Sequence, residues 1–273
     1  MTARLSSVQA RLLPHGLLDV VRQVLLFMAA YQIYRLTRGF VNHPDVAAAA
    51  FRHARDVIGI ERTLNIFVEP SLQAFAAGQQ WLLDGSAWMY INAQTSITLG
   101  ALAWLYLFRN QSFYFVRNMF LVAFAFACIG YAVFPTAPPR FFPEWGFFDA
   151  VSDFTGVPQD SVTIGRLFNP YAAVPSMHVG FALMISIPLA RLVRWRALKL
   201  FWCIYPLVVV FVIVVTANHF IADAVLGACA AGLGALAATG MARARPDVWR
   251  FQPSPSGDAP APVPSTDGAT AAT

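Results

Sequence analysis

Charge is scarce in this chain. Only 12% of its 273 residues are Asp, Glu, Lys or Arg, against 58% hydrophobic, where an average soluble domain carries roughly 25% charge. That shortage excludes an ordinary soluble fold, because a chain of this size cannot bury so much apolar surface without lipid. Paired cysteine is lacking too. Cys128, Cys203 and Cys229 all lie in apolar runs and none forms a CxxC pair, which excludes a disulfide framework and a thiolate zinc site and leaves them as packing residues. No secretory leader is legible at the start. The apolar stretch after Pro14 carries Asp19, Arg22 and Gln23, and no small-residue cleavage site follows. No internal repeat is present. The net charge of +5 is too modest to point to nucleic acid, and in a membrane protein it reports topology and attraction to anionic headgroups.

What is present is apolar length. Windows of about 20 apolar residues recur, enough to cross a bilayer as helices. The expected fold is all-α, a polytopic membrane helix bundle with about six transmembrane helices plus interfacial helices. The spans are placed at 16–36, 86–108, 113–134, 175–193, 198–217 and 219–241. The first is the weakest, because of its internal polar residues, and the fourth opens at Pro175, since proline is tolerated in a first turn. Residues 1–15 read as a cytoplasmic N-terminal segment, 16–244 as one membrane domain, and 245–273, rich in Pro, Ser, Ala and Gly, as a disordered tail.

Two segments differ in character. Over 45–64, Val57, Ile58 and Ile60 alternate at helical spacing with Arg52, Arg55, Asp56, Glu61 and Arg62, the pattern of a helix lying in the membrane interface. A shorter piece, 64–77, is expected to do the same. The connection 135–174 is long and holds Pro135, Pro138, Pro139, Pro143, Pro158 and Pro170; loops of such length are usually functional or disordered. With six spans, Arg4, Arg11, Arg109, Arg191, Arg194, Arg196, Lys199, Arg243, Arg245 and Arg250 share one face. The positive-inside rule makes that face cytoplasmic, with both termini inside a bacterial-type plasma membrane. Arg38, Arg52, Arg55 and Arg62 in the first external connection run against this charge bias, and we assign them to headgroups.

Five histidines occur. His15, His43 and His53 fall in polar segments and read as exposed. His178 and His219 each stand in the first turn of a span that starts on the external face, so two imidazoles meet in one layer near the outer boundary. Ionisable groups at that depth are costly and usually functional. Asp223 follows His219 at i+4, on the same helix face. A carboxylate there can accept from one ring nitrogen, fix the tautomer and leave the other nitrogen as nucleophile or base. Ser176 and the helix start before His178 make an anion site, and Arg140 brings a planar fork suited to phosphate. The set fits phosphoryl transfer through a phosphohistidine. The rival is a transporter or proton-relay protein using the same His and Asp residues; it would call for broken helices in matching halves and charges near the bilayer midplane.

Three blocks carry a resemblance: Tyr131-Ala-Val-Phe-Pro-Thr-Ala-Pro-Pro-Arg140, Asn169-Pro-Tyr-Ala-Ala-Val-Pro-Ser-Met-His178 and Thr216-Ala-Asn-His219-Phe-Ile-Ala-Asp223. They resemble the type 2 phosphatidic acid phosphatase superfamily, and within it most closely the inositol phosphorylceramide synthase-like branch. The resemblance covers 130–241. It implies a lipid phosphate phosphatase or phosphotransferase acting on a lipid-linked phosphate or phospholipid. His219 would be the nucleophile, Asp223 its support and His178 the acid, with Arg140 and Ser176 on the phosphate and no metal or other cofactor. The chain departs from the superfamily at two places: Val133 stands where a Lys is usual, and Ile213 where an Arg is usual. Arg166 and Arg117 are the candidates to replace those cations.

The charge asymmetry generates a test of sidedness. In a background lacking the three native cysteines, Asp153→Cys should react with a membrane-impermeant thiol reagent in intact cells, and Arg194→Cys should react only after permeabilisation. The reverse labelling would turn the site inward.

Overall fold

The computed structural model describes residues 15–39, 44–159 and 170–245. Among them the chain is helical, without a strand. Helix α1 spans Leu17–Gly39, α2 Pro44–Thr63, α3 Glu69–Ala77 and α4 Gln80–Trp88. A π-helical turn, Met89–Ala93, joins α4 to α5 (Gln94–Phe108). Then follow α6 (Asn110–Val133), the short α7 (Ala150–Thr155), α8 (Met177–Leu192), α9 (Arg196–Val215) and α10 (Ile221–Ala244). Helices α6, α9 and α10 are long and apolar enough to cross a membrane, and α8 is a shorter apolar helix. In the region of the expected second span the helical run begins six residues early, at Gln80, and is interrupted by the π turn; among the described residues neither α1 nor α5 counts with the helices long and apolar enough to cross. The fourth begins at Met177, with Ser176 as its cap residue, so Pro175 precedes the helix.

Two of the polar residues that weakened the first span, Asp19 and Gln23, have partners. Asp19 and Gln23 are buried. Asp19 accepts from the Tyr114 hydroxyl at 2.6 Å, the Tyr106 hydroxyl at 3.1 Å and Gln23 Nε2 at 3.0 Å. Arg117 donates to Gln23 Oε1 at 2.8 Å, and its Nε donates to Asn118 Oδ1 at 2.9 Å. A buried polar network survives only when its members are satisfied, and this one ties α1 to α5 and α6. It engages Arg117 away from the histidines.

Helix α10 packs against α6 and α8, and α8 against α9. The approach is close because small residues line it. A Cβ on Gly234 would lie 2.6 Å from the Met119 carbonyl oxygen, and one on Gly227 would overlap that of Ser176. Gly227 therefore brings α10 against the backbone that leads into His178. Helix α2 does not lie free at an interface on its apolar side. Ala50, Ala54, Val57 and Ile58 are buried with Ala137, Phe142, Phe147, Ala217 and Phe220, so α2 caps the Pro-rich connection and the α9–α10 turn. His53, expected to be exposed, stacks on Phe134 with ring centroids 4.1 Å apart and bonds through Nδ1 to the Pro135 carbonyl at 2.8 Å. The reason is tertiary: the apolar face of α2 lies on the loop and carries His53 with it.

A Cβ at Gly227 meets backbone, which cannot rotate away. Gly227→Ala should cost about 1–3 kcal/mol of stability, the usual range for overpacking, and should lower activity as well. Gly232→Ala, on the same helix with nothing within 4 Å, should change either by little. Melting in detergent checks both, and equal effects at the two positions would refute the close approach.

Candidate active site

Three sequence blocks, far apart in the chain, are joined through their backbones. The Thr136 N–H donates to the Tyr171 carbonyl at 2.9 Å, linking the first block to the second. The Arg140 N–H donates to the Ala217 carbonyl at 2.9 Å, linking the first to the third. The Ser176 N–H donates to the Asp223 carbonyl at 3.0 Å, linking the second to the third. The Tyr131 hydroxyl adds a bond to the Pro175 carbonyl at 3.1 Å. Between α9 and α10 the chain reverses through Ala217, whose φ of 53° lies in the left-handed region. A non-glycine residue accepts that strain only where its surroundings enforce it. Here the turn is buried, and the result is that His219 enters the site from just before α10.

His219 is buried, and its Nδ1 has two neighbours. Asp223 Oδ2 lies at 3.2 Å and the Ala173 carbonyl oxygen at 3.0 Å. Both are acceptors, so Nδ1 carries the hydrogen. The other nitrogen, Nε2, is left with its lone pair, which makes it the atom able to attack or to take a proton. Asp223 is fully buried, and the same Oδ2 also accepts the Phe220 N–H at 2.9 Å. The carboxylate thus fixes both the ring and the backbone next to it. The His178 ring stands 5.4 Å from that of His219, at 60°, and is stacked on Tyr90 at 4.5 Å. Gln94 Nε2 donates to the His178 carbonyl at 2.8 Å.

Arg140 lies within electrostatic reach of His219. Its Nη1 donates to Asn218 Oδ1, its Nε is 3.7 Å from Asp149 Oδ2, and its guanidinium packs on Phe141. Ser176 is fully buried, with no hydrogen-bond partner for Oγ among the described residues. At the start of α8 the N–H groups of Met177, His178 and Val179 have no acceptor within the helix, and the positive helix end favours an anion there. Beside His178 opens a cavity of about 380 Å³, lined mainly by apolar side chains such as Phe27, Leu102, Phe120 and Phe181, with Gln94, Thr95 and Thr98 among the polar exceptions.

Of the residues singled out from sequence, His178, His219, Asp223, Arg140 and Ser176 come together; Arg166 lies outside the described residues. Sequence reasoning missed Tyr90, Gln94, Asn218, Glu61 and Glu69. Asn218 was legible in hindsight, since it stands next to His219 inside the third block. Tyr90 and Gln94 carry no local signal, being one aromatic and one amide in an apolar run. Glu61 reads from periodicity as part of a solvated face, yet it and Glu69 are fully buried against the start of α10.

A family model described as the PAP2 superfamily matches residues 55–237. No curated protein and no solved structure matches the chain.

Proposed function

The chain belongs to the PAP2 superfamily, and on that premise we propose that it is an integral membrane enzyme transferring the phosphoryl group of a lipid-linked phosphate or phosphodiester through a phosphohistidine at His219, on the extracytoplasmic face. The observation that carries this reading is the double hydrogen bond at His219 Nδ1, to Asp223 and to Ala173, which leaves Nε2 as a nucleophile of fixed orientation.

In the first step Nε2 forms a bond to phosphorus while the bond from phosphorus to the leaving oxygen breaks. His178, as imidazolium, gives its proton to that oxygen. The Asp223 carboxylate supports the positive charge that develops on His219. Arg140, the Ser176 hydroxyl and the N–H groups opening α8 hold the other phosphate oxygens, where charge is greatest in the transition state. In the second step an oxygen nucleophile attacks phosphorus, its proton passes to His178, and the N–P bond breaks. Water as acceptor makes the enzyme a phosphatase. The hydroxyl of an inositol, a sugar or a second lipid makes it a phosphotransferase, and the likeness of the three blocks to inositol phosphorylceramide synthases favours transfer. The lipid character of the substrate is supported by the apolar cavity beside His178 and by the helices long and apolar enough to cross a membrane.

Proton donation by His178 matters in proportion to how poor the leaving group is. Detergent-purified protein would be assayed on lipid phosphates and phospholipids, with and without inositol, and on a nitrophenyl phosphate ester. His178→Ala should lose on the order of 100-fold or more on the lipid substrate, the usual worth of a general acid, and much less on the ester, whose nitrophenolate leaves unaided. Both assays use one preparation, so misfolding cancels. Equal losses would remove His178 as the acid, and no phosphoryl transfer to any acceptor would overturn the functional reading.

A further inference from the structure

The first turn of α10 is capped in an uncommon way. A helix leaves its first N–H groups without intrahelical acceptors, and here three carboxylates take them. The Phe220 N–H donates to Asp223 Oδ2 at 2.9 Å, the Ile221 N–H to Glu69 Oε1 at 2.9 Å and the Ala222 N–H to Glu61 Oε1 at 2.7 Å. Asp223 is local, but Glu61 comes from α2 and Glu69 is the first residue of α3. Glu61, Glu69 and Asp223 are all 0% exposed. Their second oxygens, Glu61 Oε2, Glu69 Oε2 and Asp223 Oδ1, have no hydrogen-bond partner among the described residues.

Three full negative charges in one dry pocket would repel strongly. The helix end offsets only about half a charge. The charged groups facing Glu61 are Glu69 from α3 and Asp223 from α10. Of the nearby cations, Arg62 on α2 itself packs over Trp145, and Arg140 engages Asn218 and Asp149. Two carboxyl groups that share a site cannot both ionise without cost, and they settle by sharing one proton. That proton supplies the donor that the two glutamates lack.

We propose that Glu61 and Glu69 form a proton-sharing pair of positioning residues, which clamps the first turn of α10 and through it holds Asp223, and hence His219, in the reactive orientation. The proposal rests on the reading of His219 as the attacking residue. It gives the two helices of the first external connection a task in the reaction, exerted through the first turn of α10.

Burial, reinforced by Glu69 and Asp223 against the opposing Ala222 N–H, pushes the Glu61 carboxyl up to about 8. A carboxyl raised in the folded state contributes stability that is complete below its unfolded pKa of about 4.5 and is lost as pH rises through about 8. Melting temperature should therefore fall from about pH 4.5 to about 8 and level off above, while kcat should fall as pH passes about 8.

The test compares Glu61→Gln and Glu61→Ala in the full chain. The Gln amide can accept from Ala222 and donate permanently to Glu69. It should keep kcat at pH 7 within about threefold of the parent, lose the fall in melting temperature between about pH 4.5 and 8, and lose the fall in kcat as pH passes about 8. Glu61→Ala leaves a buried N–H and a lone anion, and should lower kcat by roughly tenfold or more with little change in KM. Melting curves need no substrate, so they decide on the shared proton even if the parent protein proves inactive on every phosphate tried, a result that would count against the functional reading instead. Identical pH dependence of melting in the parent and Glu61→Gln would overturn the pair. So would a folded Glu61→Gln protein with no activity at any pH beside an active parent.

Discussion

The site depends on one carboxylate oxygen. Asp223 Oδ2 accepts at once from the His219 ring and from the Phe220 N–H, so it sets the tautomer of the ring and closes the helix start beside it. In an apolar surrounding a backbone group without a partner costs several kcal/mol, and the helix start cannot shift without giving up such bonds. The ring, the helix and the carboxylate therefore move together or not at all. Around them, the bonds Thr136–Tyr171, Arg140–Ala217 and Ser176–Asp223 fasten three loops that the chain order keeps far apart. Gly227 completes the arrangement by letting α10 approach the Ser176 backbone.

Much of this was legible from sequence. The apolar runs that become α6, α9 and α10 are long and nearly uninterrupted, and length with composition is enough to find them. His178, His219 and Asp223 stood out because an ionisable group at a span end is costly; the spacing of Asp223 from His219 brought the two together, although His219 precedes α10 and does not stand on its face. Arg140 was legible as a guanidinium suited to phosphate, and Ser176 as a hydroxyl at a helix start.

The rest was hidden for physical reasons. Periodicity reports that α2 has two faces, but not which face meets protein. Glu61 sits where an interfacial helix would show charge to water, and only the α10 start packed above it makes that position interior. His53 was misplaced for the same reason, since nothing local says that Phe134 and Pro135 will lie against it. Asp19 and Gln23 looked like flaws in a span because their partners Tyr106, Tyr114 and Arg117 are 87 or more positions away. In each case a long-range contact turns a costly residue into a satisfied one, and local pattern cannot announce it.

The two ends of the bundle thus use polar groups differently. Around Arg117 the groups saturate one another, which suits a structural tie. Around His219 the geometry leaves Nε2 and the Ser176 hydroxyl uncommitted while their neighbours are fixed, as a reacting centre requires. The most direct measurement is a rapid acid-free quench of the enzyme with substrate labelled in the phosphate, followed by peptide mapping of the bound label. The account predicts an acid-labile, alkali-stable phosphohistidine at His219 that forms and decays at rates compatible with turnover. Label on another residue, or product formed in a single turnover with no label on His219, would contradict it.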